Sequence, residues 1–179
     1  GGTEAAAGIT RASFRSGSMP DAVPRLSRTS VLAISFGAMV LLAGLLRQTG
    51  DAIGGMLDLT LNGTQARALL AQLTPWQRDV HAHATLIYDG LYPLAYGAFF
   101  AGLAIRLGGA PAGWVALTML AGMVADYAEN IVQLLALSGR ADLLDAKTVL
   151  TPLKFALTGT AIIATLVLAV RAGARALGR

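Results

Sequence analysis

The sequence predicts an all-α integral membrane protein: a four-transmembrane-helix up-down bundle with a surface amphipathic helix in its first exterior loop. Three observations carry that expectation. Of 179 residues, 55% are hydrophobic and 13% charged, against roughly 25% charged in an ordinary soluble domain. The apolar residues gather into four runs, each close to the ~20 residues a helix needs to cross a hydrocarbon core. The later runs are joined by short connections, which make consecutive helices antiparallel neighbours.

Residues 1–18 are rich in Gly, Ala and Ser, contain no apolar run of the signal-peptide kind, and end in Gly17-Ser18 before Met19. They are expected to be a disordered leader or a cloning scar, with residues 19–179 forming a single membrane domain. The first span is expected over about 31–46, capped by Thr29-Ser30 and closed by Arg47, Gln48, Thr49 and Gly50. A more polar stretch follows, with turn signals at Gly54-Gly55 and Asn62-Gly63. Ala66, Leu69, Leu70 and Leu73 then recur at helical spacing, predicting the surface helix. Thr74-Pro75-Trp76-Gln77 has the form of a capping box with proline at the first helical position. The helix it starts is expected to run on into the second span, about 84–107, and to kink at Pro93. Gly108, Gly109 and Pro111 make a tight connection to the third span, about 112–137, and the fourth covers about 148–170, starting at Thr148 or Pro152. Ala98 and Gly102 form a small-xxx-small pair suited to close helix approach. No internal repeat is visible, which counts against an inverted-repeat transporter.

Basic residues set the expected orientation. Arg25, Arg28, Arg106, Arg171, Arg175 and Arg179, with Arg11 and Arg15 of the leader, fall on one face. Arg47, Arg67, Arg78, Arg140 and Lys147 fall on the other, interspersed with Asp51, Asp58, Asp79, Asp142 and Asp145. The positive-inside rule makes the first face cytoplasmic, giving a multi-pass protein of the cell inner (plasma) membrane with both termini in the cytoplasm and loop 47–83 outside. The Ala/Gly/Arg-rich composition reads as bacterial, so the sequon Asn62-Gly63-Thr64 is taken as chance. A net charge of +4 would suggest nucleic acid in a soluble chain, but these arginines sit at span ends and no nucleic-acid partner is expected. The chain has no cysteine, which excludes disulfides, thiol redox chemistry, Cys-ligated metals and covalently attached haem.

The candidate site comes from polar residues inside the spans. Asp126, Glu129, Asn130 and Gln133 lie at i, i+3, i+4 and i+7 of the third helix and so share one face. Asp89, Tyr92 and Tyr96 repeat the pattern on the second, and Thr151, Lys154 and Thr158 on the fourth. Charged groups in an apolar region cost several kcal/mol, so these stripes should face each other, a cavity or a partner. At 1.5 Å per residue, Glu129, Asp89 and Lys154 all lie within roughly 12 Å of the exterior ends of their helices. A polar pocket in the outer leaflet is therefore expected, roofed by the loop that carries His81 and His83.

Asp126 and Glu129 are the candidate acid/base pair. Asp89, Tyr92, Tyr96, Asn130, Gln133, Lys154 and Thr158 are the candidate ligand-binding residues. The ligand would be a membrane lipid or another small amphipathic molecule. Three acids outnumber Lys154, the one basic residue clearly within the spans, so a proton or a cation should complete the balance. The spacing assigns neither a metal nor a cofactor, which stays unknown. Two other readings use the same residues: an accessory subunit whose stripe meets a protein partner or a second copy in a homo-oligomer, and an ion or proton pathway. A purely structural account also exists, in which the carboxylates hydrogen-bond to Tyr92, Tyr96 and Lys154 and fix helix register. In that account Lys154 snorkels to the interface if its helix begins at Pro152. His81 and His83 are expected to be solvated among headgroups, outside the apolar core, which excludes bis-histidine haem. Tyr88, Tyr92, Trp76 and Trp114 suit interfacial anchoring. Asp142 and Asp145 read as loop charges.

Overall fold

The computed structural model describes residues 25–109 and 111–178; the leader 1–18, with Arg11 and Arg15, and the terminal Arg179 lie outside the described residues. Within those bounds the chain is helical and has no strand. Six α-helices follow in order: α1 (Thr29–Ile53), α2 (Gly63–Gln72), α3 (Pro75–Ala84), α4 (Gly90–Leu107), α5 (Pro111–Leu137) and α6 (Lys147–Leu177). A π-helical turn over Thr85–Asp89 joins α3 to α4, so Pro75–Leu107 is one 33-residue rod. Four helical stretches, Thr29–Ile53, Pro75–Leu107, Pro111–Leu137 and Leu144–Leu177, are long and apolar enough to cross a membrane. Their outward faces carry exposed apolar residues such as Ile34, Val124, Ile163 and Val170.

Two boundaries differ from expectation for the same reason. The sequence reading ended α1 at Leu46 because the apolar run ends there, yet the helix continues through Arg47–Ile53 and stops at Gly54, whose φ of 87° is left-handed. Likewise α6 begins at Lys147, after a 3₁₀ turn at Leu144–Ala146, and runs on past Val170 to Leu177. Apolarity marks the part of a helix that can sit in lipid, whereas capping and backbone geometry mark where the helix itself ends.

Small residues set the closest approaches between helices. A Cβ on Gly122 of α5 would lie 2.6 Å from Thr158 Cγ2 of α6, so the glycine is what lets these two helices touch. Gly102 gives its space to the carbonyl of Leu26, just before α1, while Gly97 rather than Ala98 faces α5 at Met123. Arg106 at the end of α4 donates to Thr29 Oγ1 at the start of α1, at 2.8 Å. Among the apolar clusters that result, two flank the polar stripes. One joins Tyr96, Ala104, Val115, Met119, Ala161 and Leu168; the other joins Leu57, Ala66, Val132, Ala136, Leu137 and Leu144. The polar stripes of α5 and α6 lie between them. α1 is peripheral, burying only Leu32, Ser35 and Ile53 of its 25 residues.

The segment between α1 and α3 is more than a surface loop. After Gly54 and Gly55, both at positive φ, the chain turns inward, so that Leu57 is fully buried. α2 is amphipathic as predicted, but its apolar face is covered: Ala66 and Leu73 are buried and Leu69 and Leu70 pack beside them. Asn62 caps it by accepting from Gln65 N at 2.9 Å. Arg67 then fastens α2 to the α5–α6 connection, with Nε and Nη2 on Asp142 (2.7 and 3.1 Å) and Nη1 and Nη2 on Asp145 (2.7 and 3.0 Å). The expected loop charges are thus the two halves of a guanidinium clamp.

The clamp has a pH signature. Hydrogen bonds from Arg67 hold Asp142 below the usual carboxylate range. A depressed native value means stability that is complete above the unfolded value of about 3.9 and is lost as pH falls through the native one. Arg67→Gln should therefore melt below the wild type at pH 7 and converge with it by about pH 2. Circular-dichroism melts in neutral detergent at the two pH values check this; a gap independent of pH would rule out the clamp.

Candidate functional site

The site begins with the α5 stripe. Asp126, Glu129, Asn130 and Gln133 are all buried, with Glu129 and Gln133 fully so. Opposite them α6 presents Lys147, Thr151, Lys154 and Thr158, also buried, at i, i+4, i+7 and i+11. Glu129 binds three of these four: Oε1 accepts from Lys147 Nζ and from Thr151 Oγ1 (2.7 Å), and Oε2 pairs with Lys154 Nζ (2.7 Å). Asp126 accepts from the Tyr96 hydroxyl at 2.9 Å through Oδ2 and pairs with Lys154 at 3.2 Å through Oδ1. A third carboxylate comes from the inward-turning segment, where Asp58 Oδ1 lies 2.5 Å from Lys154. The Lys154 ammonium is therefore ion-paired with three carboxylates and donates a hydrogen bond to one of them, Asp58.

This arrangement bears on the metal question. The ligand atoms of Asp58, Asp126 and Glu129 lie within 4.8 Å of one another, close enough to share one ion. The cation at their centre is Lys154, and a divalent ion would have to displace the ammonium.

α4 contributes its residues through a backbone irregularity. Pro93 has no N–H, so the carbonyl of Asp89, four residues earlier, loses its helical partner. Asn130 Nδ2 donates to that carbonyl at 3.4 Å, and the Tyr127 hydroxyl donates to the next one, Gly90 O, at 2.9 Å. The π turn ends at the same point, a form of helix defect often found at functional sites. It re-aims the Asp89 side chain toward α5 and α6.

Asp58, Asp89, Tyr92, Tyr96, Asp126 and Lys154 line a cavity of about 260 Å³, far more than one water requires. Phe100 and Phe155 add apolar wall, and Thr158 lines it while donating back to Lys154 O at 2.7 Å. Asp58 and Tyr92 are also walls of an apolar groove of about 730 Å³ that runs along α1 past Ala43, Leu46 and Gly50. Asp89 is 2% exposed, makes no ion pair among the described residues, and has no hydrogen-bond partner on Oδ2.

Sequence reasoning brought Asp89, Tyr92, Tyr96, Asp126, Lys154 and Thr158 to one cavity, and the structure joins them there. Glu129 stands behind Lys154, outside the cavity wall, as its partner. Asn130 supports the backbone of Asp89, and Gln133 is buried away from the cavity; both its amide atoms are unpartnered, for which the packing offers no account. Lys154 does not snorkel: it lies two turns into α6 and is 4% exposed.

Three residues were read differently. Lys147, expected among the exterior loop charges, is fully buried against Glu129; continuing the α6 stripe one step back from Thr151 would have found it. Asp58, also read as a loop charge, belongs to the site, and nothing periodic in its short segment marks it. His81, expected in the headgroup region, is fully buried and accepts from Leu57 N at 3.2 Å through Nε2, which holds the inward turn in place. His83 is exposed, as expected.

Removing one partner from a buried ion network leaves the others uncompensated, typically costing about 3–5 kcal/mol. Glu129→Ala, which strips a carboxylate from both lysines, should show a loss of that order in denaturant unfolding. Asp126→Asn, which keeps an acceptor for Tyr96, should lose less. Equal losses would remove Glu129 from the centre of the network. Compared with known families, curated proteins and solved structures, the chain has no match, so its site is read from its own geometry.

Proposed function

We propose that this chain is a multi-pass membrane protein whose buried carboxylate/Lys/Tyr cavity binds a lipid-like or small amphipathic ligand. The helices would cross in up-down order with both termini cytoplasmic. Loop 47–83 and α2 would then be exterior and the cavity in the outer leaflet. The inner-membrane location rests on the same distribution of arginines, with Arg28, Arg106 and Arg171 gathered at one end.

The observation that carries the reading is the pairing of two spaces through shared walls. The polar cavity and the apolar groove both include Asp58 and Tyr92, so a ligand with a polar head and a hydrocarbon tail matches both at once. Acid/base chemistry, where it occurs, would use Asp89 and Asp126, which reach the cavity, with Glu129 fixing Lys154 from behind. An ion or proton pathway is less favoured. Ser35, Thr118 and Thr165, toward the other end, donate to carbonyls of their own helices at 2.7, 2.9 and 2.8 Å and do not form a chain. The accessory-subunit reading is weakened because the two carboxylates of the α5 stripe, Asp126 and Glu129, are already answered by Tyr96 of α4 and by Lys147, Thr151 and Lys154 of α6.

Native mass spectrometry of protein released gently from membranes tests this. Wild type should carry a stoichiometric lipid or other amphiphile, and Ala43→Phe, which narrows the groove without touching the ion network, should lose most of it. A bare chain in both samples would count against the ligand site. A stoichiometric protein partner would favour the accessory subunit.

A further inference from the structure

The charges that line the cavity narrow the chemistry of what it takes. Three carboxylates, Asp58, Asp89 and Asp126, line it against one ammonium group, Lys154, while Glu129 and Lys147 pair behind the wall. Both cations are already engaged: Lys154 by three carboxylates and Lys147 by Glu129. An anionic head such as a phosphate or a carboxylate would find no free cation in the cavity and would face an excess of negative charge there; Arg47, on the groove, pairs with Asp51 at 3.8 Å. Asp89 stands in the opposite position. It is buried, it lines the cavity, and its Oδ2 has no donor. A carboxyl withdrawn from water requires a proton, a counter-charge or a donor, and Asp89 presents that requirement to the cavity. Around it stand Tyr92 and Tyr96, packed edge to face at 5.3 Å between centroids, with Phe100 alongside. Aromatic faces favour a cation through their quadrupoles.

We infer that the cavity receives the ammonium head of an amphiphilic amine, with Asp89 as its counter-ion, Tyr92 and Tyr96 as its aromatic wall, and the groove along Ala43, Leu46 and Gly50 holding the tail. The inference rests on the reading of the cavity as a ligand site and adds the ligand's class. A small inorganic cation could satisfy the charge but would leave the groove without a role. A neutral or anionic amphiphile would fill the groove but leave Asp89 unanswered.

The three possibilities separate with short, soluble probes. Isothermal titration of the protein in phosphatidylcholine nanodiscs with octylamine, octanol, octanoate and ethylamine compares head and tail independently. Octylamine is expected to bind saturably, at least tenfold tighter than octanol, octanoate or ethylamine. Asp89→Asn should weaken it at least tenfold, whereas Asp89→Glu, which keeps the charge, should retain most of the affinity; matching circular-dichroism melts establish that both variants fold. Octanol or octanoate binding as well as octylamine, or Asp89→Asn binding like wild type, would overturn the amine assignment while leaving a ligand site in place. Competition of octylamine by sodium chloride beyond the screening seen with potassium chloride, or ethylamine binding as tightly, would turn the site into one for a small cation and overturn the amphiphile. No binding by any octyl probe would overturn both this inference and the ligand site on which it depends.

Discussion

Most of what is specific about this fold depends on one ammonium group. Lys154 ties together a carboxylate from α5, a second carboxylate one helical turn further along α5, and a third from a segment almost a hundred residues earlier in the chain. An unpaired charge at this depth costs several kcal/mol or more, so the partners are obligatory once the lysine is there. The consequence reaches into the backbone. Because Asp58 must come to Lys154, the chain after α1 has to reverse at Gly54 and Gly55 and bury Leu57, whose N–H is then taken up by His81. The same ammonium therefore fixes the register of α5 on α6, the path of the first long connection, and one wall of the cavity.

A second constraint comes from Pro93. Its missing N–H frees a carbonyl in an apolar setting, and Asn130 answers it from α5. Two polar residues that look alike in the sequence thus have unlike tasks: Asp126 turns toward the cavity, while Asn130 repairs a helix. The π turn that accompanies the proline places Asp89 where a regular helix would not, and leaves it as the carboxylate of the site without a cation of its own. A helix defect that the fold tolerates only through a neighbour's side chain is in this way coupled to the chemistry of the cavity.

The outer parts follow a different logic. α1 buries little and borders the groove, so its role is closer to a wall than to a core element. The α2 segment, held by Arg67 on Asp142 and Asp145, closes over the ends of α5 and α6 through charge-assisted hydrogen bonds at the surface, where they are weakened by solvent and by acid. The buried network sets which helices meet. The clamp sets how firmly that end of the bundle is covered.

The sequence by itself determined the helical class, the four long apolar stretches and most of the polar residues that line the cavity. These follow from local rules: hydrocarbon length sets the spans, and the 3.6-residue period puts Asp126 with Glu129, and Lys154 with Thr158, on single faces that cannot all meet lipid. It also located the capping box at Thr74, since a cap is an effect of a few adjacent residues. Tertiary structure alone decided that Asp58 and Lys147 leave the expected set of loop charges for the interior, that His81 is buried, and that Glu129 supports the cavity from behind. Each of these depends on a partner distant in the chain, and a charged residue in a polar segment carries no local mark of whether water or another side chain will compensate it.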